Sequence, residues 1–531
     1  MFYISLIPYL ILLFYDYKKA LHMAQQNLYN DDKRFLKWTI NDFKTFKISF
    51  KCSLVVLVTY LILTVLNLSS KYYIVNIYFI LVCIMILIFR IKENSLNDTK
   101  IKLKVTARVK RLIVTNVILF LLLCLGLKCL NKINVSYLIL FLYDILLNFV
   151  IMLSIIINKP VEKLVYLSFK TKAEKKLNDM KNLKVIGITG SYGKTSSKNI
   201  LSDILNVKYN ALPSPKNFNT PYGLIITVNN YLDKFDDVLI AEMGAYKIGE
   251  IKELCDLVKP KYGILTKIGT AHIEIFGSQE NIQKGKFELI ESLPHDGIGV
   301  LNGDDELQLN YKLKNDCKIL WIGIDNKNVD VYASDITTSS KGTTFNVNFK
   351  GDSNKYEFTT RLLGYNNIYN ILASLALAKE FGLTIDQMQK AVLNVKSVEH
   401  RLELRKAGNI TYIDDSYNSN PVGSKMALEV LKQMPKMRIV MTPGMVELGD
   451  KSYELNKKFG TYMKDTCDVV ILVGEKITKP IRDGLKEVKY NEKNIYVVKS
   501  TKEAFALVKS ITNGKEAYVL IENDLPDIYN E

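Results

Sequence analysis

The densest run of residues able to do chemistry is Thr189-Gly190-Ser191-Tyr192-Gly193-Lys194-Thr195-Ser196. The apolar Val185-Ile186-Gly187-Ile188 precedes it, and Ile200, Leu201, Ile204 and Leu205 follow at helical spacing. A strand, a glycine turn and a lysine-hydroxyl pair at a helix start form a phosphate cradle. Backbone N–H groups and the helix dipole hold the anion, Lys194 reaches the outer phosphates, and Thr195 can ligand Mg²⁺. The strict G-x4-G-K-T spacing is not met, because its first glycine falls on Ile188. The competing reading is a tight strand-to-helix turn with a chance Lys-Thr. The pattern predicts that the chain consumes a nucleotide.

Two further residues stand where such a cleft would open. Glu242 ends the apolar run Val238-Leu239-Ile240-Ala241. It reads either as a ligand of the nucleotide's Mg²⁺ or as an acid at a helix start. His272, in Gly269-Thr270-Ala271-His272, also follows a strand; a lone histidine is more often surface or core than ligand, but this one shares the cleft.

These groups need a scaffold, and composition bounds it. A chain of 531 residues should hold several domains, and its net charge of +17 is unevenly spread. Residues 1–180 carry 25 Lys and Arg against 10 Asp and Glu, so the remainder is nearly neutral. With no basic stripe interleaved with aromatics there, nucleic acid is not expected as a partner. The excess accompanies apolar runs at Phe2–Phe14, Leu54–Leu68, Tyr72–Phe89, Leu112–Leu127 and Val135–Ile157, read as about five membrane helices in residues 1–160. The segments 16–48 and 90–111 are rich in Lys and Arg, while the alternate connections hold only Lys71, Lys128 and Lys132. The positive-inside rule then puts the rich loops and everything after Ile157 in the cytoplasm, as expected for a multi-pass protein of the cell (inner) membrane. Asp144, inside the last run, either lines a polar site or bonds between helices. The seven cysteines include no C-x2-C pair, which argues against a zinc ribbon and for free thiols.

Residues 161–182 read as a basic linker favoured by anionic lipid headgroups. Next comes an α/β unit over 183–396. Its expected strands are Val185–Ile188, Val238–Glu242, Tyr262–Ile268 and Ile298–Asn302, with helices at Ser197–Leu205, Ile248–Val258 and Asn281–Leu293. Antiparallel strands over 330–362 and a helix at Asn366–Phe381 complete it. A smaller doubly wound unit is expected over 397–531, with strands at Ile410–Ile413, Ile439–Met441, Val469–Val473, Ile495–Val498 and Ala517–Ile521. The fold class is therefore an α-helical membrane region followed by α/β: a P-loop-like central ATPase domain and a smaller doubly wound C-terminal domain. Ligands of such sheets sit at the carboxyl ends of the strands.

From Val185 to Asp524 the motifs resemble the Mur ligase family of ATP-dependent amide ligases, in particular its D-alanyl-D-alanine-adding branch. The resemblance rests on the phosphate loop, which in that family lacks the first glycine, and on several further motifs in order. These are Asn217-Phe218-Asn219-Thr220-Pro221, Glu242-Met243-Gly244, Ile268-Gly269-Thr270-Ala271-His272, Asn302-Gly303-Asp304-Asp305, His400-Arg401-Leu402-Glu403, Asp414-Asp415-Ser416-Tyr417-Asn418-Ser419-Asn420-Pro421 and Gly444-Met445-Val446-Glu447.

The resemblance implies ATP and two Mg²⁺ ions as cofactors. Gly190, Ser191, Gly193, Lys194, Thr195 and Ser196 would hold the phosphates, Thr195 and Glu242 one metal, and His272 and a carbamylated Lys286 the other. Asn302 and Asn367 are similar to adenine-site residues, Asp415 to a ribose contact, and Arg401 to a γ-phosphate contact delivered by closure of residues 397–531. Asn219, Thr220, Tyr417, Asn418 and Asn420 would lie near the carboxylate and amine substrates. The implied partners are a peptidoglycan precursor, a soluble uridine nucleotide or a lipid-linked form, with an amino-acid or dipeptide amine and membrane lipid. The implied reaction makes an acyl phosphate and then an amide.

The sequence departs from the family pattern in three places. A membrane region stands where the branch usually has a uridine-binding domain. Asn366 replaces a histidine, and Asn523-Asp524 replaces a glycine-serine ending. Two other readings follow: a synthase of poly-γ-glutamate type, and a membrane scaffold or transporter with a degenerate nucleotide domain. The retained Lys194, Glu242, His272, Lys286 and Arg401 speak against degeneracy.

Overall fold

Short β-rich apolar runs separated by amphipathic helices build two sheets, each with its own core. The computed structural model describes residues 2–27, 29, 34–44, 48–65, 72–94, 103–130, 133–270, 272–339, 342–417, 419–446 and 448–523. The chain divides into two compact units, Met1–Ser168 and Phe169–Glu531.

The first unit is helical. Among its described residues, Val75–Lys92 and Ala107–Lys128 are long and apolar enough to cross a membrane. Val135–Ile145 and Leu147–Asp179 would add a third span if they act as one, but they meet at a 71° bend. The expected five spans are thus two or three here. Phe2–Gln26 carries Asp16, Lys18 and Lys19 on its helix, and Phe50–Ile62 is too short. Asp144 has found a partner within the helices: the Arg90 guanidinium lies 3.1 Å from Asp16 and 3.5 Å from Asp144. Arg90, counted above with a basic loop, therefore turns inward to offset two buried carboxylates. Leu147–Asp179 also shows that most of the expected linker, 161–182, is helix.

The second unit holds both sheets. Strands β1 (Lys184–Thr189), β2 (Ala211–Pro213), β3 (Val238–Glu242), β4 (Tyr262–Leu265), β5 (Ile298–Asn302), β6 (Lys318–Gly323), β7 (Val331–Ser339), β8 (Gly342–Phe349) and β9 (Lys355–Thr360) run in the order β2-β3-β1-β4-β5-β6-β7-β8-β9. The pairs from β2 to β7 are parallel, and β7, β8 and β9 pair antiparallel. Helices Lys194–Leu205 and Tyr365–Glu380 share one core with the sheet, through Ile200, Ile204, Ile240, Ile371 and Leu375. Helix Gln279–Glu291 lies close on another side: a Cβ on Gly187 would come within 2.5 Å of Leu289, and one on Gly263 within 3.3 Å of Leu289 and Ile290. Strand glycines thus let the helix that carries Lys286 approach the sheet.

The second sheet has β10 (Glu403–Ala407), β11 (Ile410–Asp415), β12 (Met437–Thr442), β13 (Val469–Val473), β14 (Ile495–Val498) and β15 (Ala517–Glu522) in the order β10-β11-β15-β12-β13-β14. All its pairs are parallel except β10 with β11. The charged β10, the short β2 and the bridging β6 were not foreseen. The expected strand to Ile268 stops at Leu265, because Thr266 and Lys267 turn to brace the phosphate loop. Cys255, Cys317 and Cys467 are free and buried.

Ile240, fully buried at the centre of β3, tests this core. Ile240→Ala should cost about 2–5 kcal/mol, read as a lower midpoint in thermal melting of the purified protein.

Candidate active site

The site grows from the carboxyl ends of β1, β3 and β4. β1 ends at Thr189, whose hydroxyl donates to the Met243 carbonyl at 2.8 Å and so fixes the chain leaving β3. Beyond it Gly190 adopts φ 147°, and a Cβ there would overlap the Thr266 hydroxyl. Thr266 donates to the Tyr192 carbonyl at 2.6 Å, and the Ser191 N–H donates to the Lys267 carbonyl at 2.9 Å. The Ser191 hydroxyl donates to the Gly269 carbonyl at 3.2 Å. The chain after β4 is therefore a brace for the phosphate loop. Because the Ser191 N–H is spent on Lys267, the free cradle lies at the first turn of helix Lys194–Leu205. Gly193, at φ 84°, caps that helix without a side-chain bond, and Ser196 lies partly buried in the same turn.

Lys194 folds back over the loop, donating to the carbonyls of Gly190 at 2.9 Å and Ser191 at 3.3 Å. Burial holds its pKa below the usual lysine value; Glu242 opposes that shift, and Arg401 adds to it. The Thr195 hydroxyl donates to Glu242 Oε1 at 3.2 Å, and the Asn219 amide donates to the same oxygen at 3.1 Å. Asn219, expected near the sugar-peptide, is thus also a partner of the central carboxylate. Thr220 caps helix Pro221–Ile226 by accepting from Gly223, and it lines the same cavity.

That cavity, about 200 Å³, is walled by Lys194, Asn219, Thr220, Tyr246, His272 and Lys286 among others. His272 sits at φ 62°, with Tyr246 edge-on to its ring at 4.6 Å. Desolvation and the charges of Lys194 and Lys286 hold its pKa below the usual histidine value. Lys286 is 2% exposed and donates to the Ala245 carbonyl at 3.3 Å. Burial, reinforced by Lys194, pushes its pKa down to about 7.

Asn302 lines a second, narrow cleft with Tyr192, Gly193, Asn366 and Asn370. Asn367 instead donates to the Leu363 carbonyl at 2.8 Å and does not line that cleft. At the start of the second sheet, Arg401 stacks over the Tyr417 ring at 4.6 Å. Two left-handed residues, His400 and Leu402, flank it. Asp415 accepts from the Leu402 N–H at 3.2 Å, and burial raises its pKa to about 6. Asn420 accepts from the Gly423 N–H and caps helix Pro421–Lys432. Asn418 lies outside the described residues.

The fit to divalent metal can be tested on the donors. Thr195 and Glu242 present a hydroxyl and a carboxylate oxygen at a phosphate cradle, the hard donors Mg²⁺ takes. His272 and Lys286 fit a second ion only if the lysine carries an acidic group, since an ammonium repels a cation. A buried amine with a pKa of about 7 is about half neutral near pH 7, and the neutral form is open to that modification.

A pattern described as the Mur ligase middle domain matches residues 188–378, and one described as the Mur ligase glutamate ligase domain matches residues 400–521. The chain is 30% identical over 345 residues to the UDP-N-acetylmuramoyl-tripeptide--D-alanyl-D-alanine ligase of Buchnera aphidicola subsp. Acyrthosiphon pisum, a match covering 62% of this chain and 74% of that one. The chain belongs to the Mur ligase family. With the enzyme of the same name from Escherichia coli it shares 32% identity over 295 residues, 55% of this chain and 65% of the relative, so it spans just under two thirds of that protein. The MurF ligase of Thermotoga maritima, solved in complex with ADP, superposes with a TM-score of 0.61 at 25% identity, over 69% of this chain and 81% of that one.

The site has neighbours that the motifs did not single out. Lys198 ion-pairs with Glu242, Tyr246 packs on His272, and Glu250 and Glu253 stand at the cavity wall. The one sequence signal for Lys198 was a lysine on the buried face of the phosphate-loop helix, beside Ser197, Leu201 and Ser202.

Gly190 offers the sharpest test of this geometry. Gly190→Ala should weaken nucleotide binding at least tenfold while thermal melting shifts little, because the clash is confined to the loop.

Proposed function

We propose that this protein is an ATP-dependent ligase of cell-wall peptidoglycan precursor synthesis. It activates a carboxylate as an acyl phosphate and joins it to D-alanyl-D-alanine or a similar amine. The observation that carries the reading is that Lys194 and Asn219 line one cavity with His272 and Lys286, while Asn219 and Thr195 both bond to the Glu242 carboxylate behind it.

In this reading the first turn of the phosphate-loop helix and Lys194 bind the polyphosphate of ATP. The substrate carboxylate attacks the γ-phosphorus, the bond to the β-phosphate oxygen breaks, and ADP leaves. Arg401, stacked on Tyr417, meets the charge on the γ-phosphate. The amine nitrogen then attacks the acyl carbon, phosphate departs, and the amine loses its proton. Thr195 and Glu242 would hold one Mg²⁺, and His272 with carbamylated Lys286 a second; when bound, the ions neutralise phosphate charge. Thr220 borders the carboxylate side of the cavity. Tyr417, Asn418 and Asn420 are assigned to the amine side, Asn302 to adenine, and Asp415 to the ribose; Asn367, held by the Leu363 carbonyl, is left out of the adenine contacts.

The domains are assigned as 1–160 membrane, 161–182 linker, 183–396 ATP-binding and 397–531 C-terminal. The apolar helices Val75–Lys92 and Ala107–Lys128 support anchorage in the cell membrane, with the catalytic domains on the cytoplasmic, cation-rich side. They also favour a second version of the same chemistry, in which the donor is lipid-linked and presented at the inner leaflet. Synthesis of a poly-γ-glutamate-type polymer is the weaker alternative, given the relatives described above.

The deciding assay is phosphate release by detergent-purified protein with Mg²⁺-ATP and D-alanyl-D-alanine, supplied with either UDP-N-acetylmuramoyl-tripeptide or its lipid-linked counterpart. Turnover with the soluble donor is expected. Turnover only with the lipid form would move the substrate to the membrane, and no turnover with either would overturn the reading.

Lys286 supplies a second test through its low pKa. The neutral amine exists above pH about 7 and is lost by protonation below it. With ¹³C-bicarbonate, a protein-bound carbamate signal should therefore appear as the pH rises through 7 and be missing in Lys286→Ala.

A further inference from the structure

Glu242 is 1% exposed, and its two oxygens are used differently. Oε1 accepts from Thr195 and Asn219, both of which line or border the phosphate side. Oε2 is buried, accepts no hydrogen bond and forms an ion pair with Lys198 Nζ at 3.0 Å. Lys198 is itself only 1% exposed, and its ammonium also donates to the Lys216 carbonyl. Lys216 belongs to the segment that leads to Asn219, and it adopts a left-handed φ of 48°. Ser214, at the start of the same segment, accepts from the Glu242 N–H at 3.1 Å and donates its own N–H to the Ile240 carbonyl. One buried cation therefore ties three pieces together: the phosphate-loop helix, the end of β3 and the loop that carries Asn219 and Thr220.

We propose that Lys198 is a positioning residue for the metal-dependent part of nucleotide binding. By engaging Oε2 and the Lys216 carbonyl, it fixes the carboxylate plane so that Oε1, together with the Thr195 hydroxyl, faces the phosphates. Its role is exerted through Glu242, since its ammonium is engaged by Oε2 and the Lys216 carbonyl. Lys194 and Lys198 are one helical turn apart, but they do opposite jobs. Lys194 lies over the loop, where it meets the ligand, and Lys198 lies beneath it, where it meets the ligand's partner. Without Lys198, Glu242 would be a buried carboxylate with no counter-charge at Oε2, free to rotate away from the phosphate side and so a poorer ligand.

The inference rests on the assignment of Glu242 to Mg²⁺, so the test reads metal and nucleotide binding without any ligase substrate. ATP affinity of the full-length, detergent-purified protein is measured by titration calorimetry in EDTA and again in excess Mg²⁺. The ratio of the two dissociation constants is the metal enhancement. Lys198→Met should lower that enhancement at least tenfold while leaving the metal-free affinity within about threefold of wild type. A merely structural role would weaken both together.

Lys198→Gln, whose amide keeps a buried polar partner but falls short of Oε2, should give the same loss, and it serves if the methionine variant does not fold. Either folded variant with a wild-type enhancement would overturn the proposal, as would an equal loss of both affinities. A wild-type protein whose ATP affinity ignores Mg²⁺ would remove the metal assignment beneath it. Failure of the phosphate-release assay alone would leave the proposal standing and remove only the substrates.

Discussion

The second unit is organised around one buried carboxylate. Glu242 ends a fully buried strand, where an ionised group is costly to desolvate without hydrogen bonds or a counter-charge. Thr195 and Asn219 hydrogen-bond to one oxygen, and Lys198 sets its charge 3.0 Å from the other. Removing one member of such a buried pair typically costs about 3–5 kcal/mol, because the survivor stays charged and unsolvated. That cost links the phosphate-loop helix, β3 and the 214–220 loop into one piece, and the cleft inherits its shape from it. The rest of the active site hangs on the same frame: Thr189 bonds to Met243 next to Glu242, and the chain after β4 bonds to the phosphate loop.

Electrostatics in the cleft follow from crowding cations on this frame. Lys194, Lys286 and Arg401 converge, and Glu242 is the acid that tempers Lys194. Burial, reinforced by the charge of Lys194, brings the Lys286 pKa down to about 7 against the opposing carboxylates of Glu250 and Glu288. A site built this way is poised for a polyanion, which would relieve the repulsion on arrival.

In the helical unit Arg90 partly offsets the two carboxylates of Asp16 and Asp144 inside a bundle that otherwise packs aromatic rings, such as Phe79 on Tyr137 at 3.9 Å. Hydropathy alone counted apolar runs and could not see the bend after Ile145 or the charges ending Phe2–Gln26 as a span.

Much of this protein was legible in its sequence. β3 and β5 fall on the expected residues, because buried parallel strands are short, continuous apolar runs with sharp polar ends. The phosphate loop was legible because its glycine is required locally: φ 147° at Gly190 is a backbone demand written in one residue. Tertiary structure alone decided the rest. β10 is a charged edge whose pairing comes from β11, not from its own pattern. Asn366 rather than Asn367 reaches the cleft beside Asn302, a difference of one helical step that only packing fixes. Lys198 was barely legible for the same reason. A lysine on a helix reads as solvated until the fold supplies a buried carboxylate 44 positions away in the chain, and only then does its charge acquire a purpose.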